Sequence, residues 1–156
     1  MKTAEEQNNI AAKQQTFQLR RRKARCLAMQ FIFQMDMNKQ CRCDQEQLSR
    51  FQETWLEDEN QRKAWKYARK IIEATCENLE EIDRLLQKAA SNWSLPRMSY
   101  IDRSIMRIAV SEIAFTEKKL PVIAINEAVE LAKIYSEAAS AAFVNGILDK
   151  VRKTLA

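Results

Sequence analysis

From Phe17 onward, apolar residues return along this chain at intervals of three and four, the spacing that lines up one face of an α-helix. Ala24, Leu27, Ala28, Phe31, Ile32 and Met35 make the first such stripe. Leu48, Phe51 and Trp55 mark a second helix, and Trp65, Ala68, Ile72 and Cys76 a third. Leu79, Ile82, Leu86 and Ala89 predict a fourth, opened by a weak capping signature at Asn78 and Glu81. After the proline of NWSLPRMS the pattern changes. Ile101, Ile105, Met106, Ile108, Ala109, Val110 and Ile113 occupy almost the whole circumference of the next segment, as expected of a buried central helix. Arg107, inside that segment, requires an internal ion pair, with Glu127 or Glu130 as candidate partners. Pro121 suits the first position of a sixth helix carrying Ile125, Ala128, Val129 and Ala132. Phe143, Val144, Ile147, Leu148, Val151 and Leu155 define a seventh.

One glycine and two prolines in 156 residues leave little material for hairpin turns or phosphate-cradling loops. The expected fold is therefore all-α, with about seven helices in two packed three-helix-bundle-like subdomains over about 16–77 and 78–156. Residues 1–15 are polar and without periodicity, and are expected to be a mobile tail. The lone glycine, Gly146, lies inside the last helix, where it costs about 1 kcal/mol relative to alanine; a close approach between helices is the expected reason.

Charge adds a function to this frame. Residues 1–25 hold seven Lys and Arg against two Glu, leaving 19 basic and 19 acidic side chains in the other 131 residues, so the whole net charge of +5 lies at one end. Arg20, Arg21, Arg22, Lys23 and Arg25 fall where the apolar periodicity begins. Exposed cations at a helix start oppose the helix dipole at up to about 1 kcal/mol each, so an anionic partner is the natural compensation. Lys and Arg neutralise phosphates, and a guanidinium plane also stacks on unpaired bases, which suits single-stranded RNA.

Other chemistries are poorly served. There is no histidine for proton transfer, no glycine-rich loop and no G-x-S-x-G, and Glu80/Glu81 and Glu127/Glu130 stand at the spacings of solvated helix faces, so no enzyme is expected. Cys26, Cys41, Cys43 and Cys76, with no histidine and a C-x-C spacing, do not fit a structural zinc site; they are read as reduced thiols, Cys26 and Cys76 facing the core, with no metal or cofactor. No signal-peptide apolar region and no membrane-length apolar run are present, which points to a cytoplasmic protein rather than a membrane one.

Taken in order, RRKARCLAMQFIFQMD, NLEEID with a following W-x-L, DRSIMRIAVSEI, PVIAINEAVELAK and FVNGILDK resemble the NusB family of transcription antitermination factors over roughly residues 20–151. The resemblance implies a non-enzymatic helical protein. It implies binding to the boxA element of nascent ribosomal RNA together with the small-subunit ribosomal protein NusE, within the RNA polymerase antitermination complex. On the family pattern Arg21, Arg22, Lys23 and Arg25, with Arg20 beside them, map to the RNA-contacting start of the first helix, and Phe143 lies near the same surface. Phe33 and Asp102 map to the protein partner. First-helix faces in the family can also form a homodimer that covers the basic surface. A similar helical module occurs in rRNA methyltransferases, but this chain has no glycine-rich cofactor loop.

One segment departs from the pattern. Between ELAK and FVNG the family's glycine, aspartate and lysine are replaced by Ser136, Ala139 and Ala142. Losing the glycine removes an easy left-handed helix cap, and losing the other two strips polar groups from beside the expected RNA surface. The second reading of the chain is accordingly a protein–protein adaptor of the same fold with weakened or non-specific RNA binding.

Overall fold

A computed structural model describes residues 1–39 and 43–156; Cys41 lies outside the described residues. The helices are α1 (Ala4–Met37), α2 (Gln45–Trp55), α3 (Glu59–Glu77), α4 (Leu79–Ala89), α5 (Tyr100–Ala114), α6 (Pro121–Tyr135) and α7 (Ala138–Leu155), with a 3₁₀ turn at Leu95–Arg97 before α5. This is the all-α architecture expected from the periodicity. Residues 102 to 113 of α5 are all buried. α5 packs against α1, α3, α4, α6 and α7, while α1 also packs on α3 and α6 on α7. The interior is one hydrophobic cluster running from Ala24 to Val151.

Local chemistry sets most helix starts. Asp44 and Asp58 accept hydrogen bonds from the backbone of Gln47 and Gln61, Ser99 accepts from Asp102, and Pro121 opens α6. Asn78, expected to cap α4, makes no such bond; its amide donates instead to the carbonyl of Ala74 in the preceding helix.

Three further expectations are corrected. Residues 1–15 are not irregular: Thr3 and Glu6 form a capping box, and α1 runs unbroken from Ala4 with every residue through Arg20 exposed. The basic run therefore sits more than about four turns inside α1, where the end of the helix dipole does not reach it. Arg107 pairs with Asp83 of α4, through Nε at 2.8 Å and Nη2 at 2.9 Å, rather than with Glu127 or Glu130. Both of those glutamates lie on α6, where Glu127 meets Arg22 and Glu130 meets Lys133. Gly146 is exposed on α7, off the Val144–Ile147–Leu148–Val151 face, and nothing lies within 4 Å of where its Cβ would stand. No close helix approach explains it.

Candidate RNA and partner interface

Successive residues of an α-helix point about 100° apart, so the run from Arg20 to Arg25 cannot serve one surface. Arg25 turns inward and is only 4% exposed. Its fork grips Glu112 of α5, Nε to Oε1 at 2.7 Å and Nη2 to Oε2 at 2.9 Å, and the Tyr67 hydroxyl donates to the same carboxylate at 2.7 Å. Burial alone lowers the Arg25 pKa, but the bonds and charge of Glu112 outweigh it and leave it raised. Burial, reinforced by Glu112, pushes the Tyr67 phenol up to about 12. Arg25, expected to contact RNA, is instead enclosed: its Nε and Nη2 are on Glu112, and the residue is buried away from a ligand at the surface.

Arg22 faces α6. It reaches Glu127 through Nε at 3.0 Å and Nη2 at 3.1 Å, while its side chain stays 41% exposed. The hydrogen bond with Glu127 holds its pKa above the ordinary guanidinium range. Arg20 and Lys23 are exposed and have no acidic partner among the described residues. Arg21 turns the other way and lays its guanidinium 3.7 Å from the centre of the Tyr67 ring and 4.7 Å from that of Phe17.

Further along α1, the Tyr135 hydroxyl at the end of α6 donates to the Cys26 thiol at 3.7 Å. Burial raises the pKa of Cys26, and burial together with Cys26 raises Tyr135 to about 12. Ser136 follows. It leaves α6 with φ −124° and ψ −172°, an extended geometry open to any residue, so the missing glycine does not strain this turn. The Ser136 hydroxyl donates to Asp102 Oδ1 at 2.7 Å, and Ser140 to Oδ2 at 3.0 Å. Asp102 is thus held by Ser136, which departs from the family pattern, and by Ser140 one turn on.

Asp102, Ser136 and Ser140 share a hollow of about 600 Å³ with Ile101, Trp93 and Phe143. Phe143 is half-buried and meets Trp93 edge to face at 6.5 Å. Phe33 packs on Tyr100, two residues before Asp102, with ring centres 6.4 Å apart. Asp102 and Phe143 thus line one hollow and Arg20 and Lys23 another, the two linked by the Tyr135–Cys26 bond.

Sequence reading took Trp93 only as the Trp of the W-x-L motif, without a site role, and passed over Tyr67 and the lysines of α3. Trp93 is 52% exposed, an unusual position for so large an apolar group. Lys63, Lys66 and Lys70 recur at helical spacing, a signal hidden because the chain beyond residue 25 is neutral on balance.

The NusB family model matches residues 22–153. The chain belongs to the NusB family. A transcription antitermination protein NusB from Thermodesulfovibrio yellowstonii is 39% identical over 141 residues, covering 86% of this chain and 93% of the relative. Among solved structures, a T. maritima NusB superposes with a TM-score of 0.71 at 35% identity, over 85% of this chain and 90% of that one. A chain from the crystal structure of antitermination factors NusB and NusE in complex with double-stranded RNA matches with a TM-score of 0.73 at 27% identity, over 86% and 97%. The fold seen here is therefore the NusB fold, with Arg25, Glu112 and Tyr67 tying α1, α5 and α3 together inside it. Among the described residues no helix is long and apolar enough to cross a membrane, and no group of three His, Cys, Asp or Glu could hold a metal ion.

Proposed function

We infer that this chain is a cytoplasmic, non-enzymatic transcription antitermination factor that binds boxA-type single-stranded RNA together with the ribosomal protein NusE and acts within the RNA polymerase antitermination complex. The observation that carries this reading is the positive face of α1, Arg20 and Lys23, which has no acidic partner among the described residues, on a NusB-family helix whose Arg22 and Arg25 are held by Glu127 and Glu112. Arg20 and Lys23 take phosphates; Arg22, shared with Glu127, adds a partly neutralised third cation, and Phe143 offers a ring edge beside Trp93. Arg25 acts through Glu112 and Tyr67 by fixing the seat of α1. Phe33 and Asp102 supply an aromatic and an anchored carboxylate at the head of α5 for the protein partner.

The test is readthrough of a terminator placed behind a boxA-type element in a reconstituted transcription reaction containing NusE. Wild-type protein is expected to raise readthrough, and the Arg20→Gln/Lys23→Gln variant to lose most of that gain while binding NusE as before. Equal readthrough by the two proteins would remove the RNA face from the account. The adaptor reading keeps one specific support: Ala139 and Ala142 leave the Phe143 neighbourhood without the family's aspartate and lysine. It predicts that co-precipitation with NusE survives while RNA selectivity for the boxA-type sequence is absent.

A further inference from the structure

Arg21 faces away from Arg22 and into a groove of about 230 Å³ between α1 and α3. Arg20, Arg21, Lys63, Lys66 and Lys70 line it, with Tyr67 beneath. Five cations in one narrow groove repel one another, and the fold does not answer them. Among the described residues the one ion pair made by these cations is Lys63 with Glu59, at 3.7 Å, with both side chains more than half exposed, where such a pair contributes little. Arg20, Arg21, Lys66 and Lys70 have no acidic partner among the described residues. Folding does not require them either. α3 buries its Ala64–Trp65–Ala68–Ile71–Ile72 face, and uncharged polar residues would solvate the other side equally well.

Arg21 is already arranged for an anion. Its guanidinium plane rests on Tyr67, and Tyr67 is held in turn by the buried Glu112. The rings meet the guanidinium at its central carbon, whereas its N–H groups donate no hydrogen bond among the described residues. A fork held this way loses little side-chain entropy on meeting phosphate oxygens. Arg20 also borders the neighbouring hollow that contains Arg22 and Lys23, so the groove is continuous with the outer face of α1.

We propose that the α1–α3 groove is a second phosphate track, taking the RNA backbone that flanks the element held on the outer face of α1. This rests on the RNA-binding reading above and extends it to Arg21, Lys63, Lys66 and Lys70. An acidic protein segment would use the same charges; continuity with the outer face through Arg20 favours RNA.

The experiment compares the full chain with its Lys63→Gln/Lys66→Gln/Lys70→Gln variant on two RNAs, a boxA-type element alone and the same element extended on both sides. Three lost contacts to a single strand predict that the variant binds the extended RNA with a log–log salt slope shallower by about 2, and roughly tenfold more weakly at moderate salt. Binding of the short RNA should be unchanged, and the extended RNA should protect Lys66 and Lys70 of the wild type from acetylation. Equal affinity and slope for the extended RNA would overturn the proposal. So would acetylation protection that appears with NusE but not with RNA, which would make the groove a protein site. If the wild type bound neither RNA, the underlying RNA reading would fail, a result distinct from loss of the α3 contribution alone.

Discussion

Arg21 and Arg25 stand one turn apart on α1, and both reach Tyr67, yet they belong to opposite kinds of surface. At the α1–α5 seam Arg25 meets a buried carboxylate with two short bonds, and its charge is consumed in holding helices together. In the α1–α3 groove Arg21 meets an aromatic ring and four other cations, and its charge is left over. Which role an arginine takes is decided by whether the neighbouring helix presents an acid. A basic run is therefore not a unit of function: Arg25 is structural, Arg22 is half-neutralised by Glu127, and Arg20, Arg21 and Lys23 remain for a ligand.

The largest expected effect lies at the seam. Glu112→Ala leaves Arg25 buried without its partner and is predicted to lower stability by about 3–5 kcal/mol, whereas Arg21→Ala, which removes a half-exposed stack, costs about 1 kcal/mol or less. Urea unfolding of the two variants checks this, and similar losses would erase the distinction.

Next in size is a pH effect. The Tyr67 pKa is raised by burial and by Glu112 to about 12, so the neutral phenol is favoured by the fold. Its contribution is complete below the unfolded value of about 10 and is lost as pH climbs through 12. With the ring only partly enclosed, the loss is on the order of 1 kcal/mol. Alkaline unfolding should thus be shallower across this window in Tyr67→Phe than in the wild type, and the phenolic absorbance step near pH 12, to which Tyr135 also contributes, should shrink by the Tyr67 share in that variant.

The smallest effect separates the two flanks of the run. Glu127→Gln frees Arg22 at less than about 1 kcal/mol of stability and should tighten RNA binding by about two- to fivefold, because the pair is exposed enough for salt to screen it. Weaker RNA binding by this variant would mean that Arg22 needs Glu127 to be positioned for the ligand.

The helices and the buried α5 were legible because apolar residues recur at the period of a helix, and no other element competes for those positions. The arm of α1 before Arg20 was not, since its only signal is the Thr3–Glu6 box at a site with no apolar stripe. Pairing was harder still. Arg107 was seen to need an acid, but the choice of Asp83 depends on where α4 crosses α5, which no local pattern records. The same limit applies to Arg25, whose spacing resembles its neighbours' while its surroundings do not. Ser136 illustrates the reverse: the replacement of a turn glycine looked like a loss, yet the extended backbone tolerates it and its hydroxyl anchors Asp102.

The most direct measurement is the affinity of a boxA-type single-stranded RNA for the full chain across a salt series, with and without NusE. Three to five phosphate contacts predict a log–log slope of about −2 to −3.5, made shallower by Arg20→Gln/Lys23→Gln and untouched by Arg22→Lys. Absence of binding at low salt with NusE present, or a slope indifferent to loss of Arg20 and Lys23, would contradict the account.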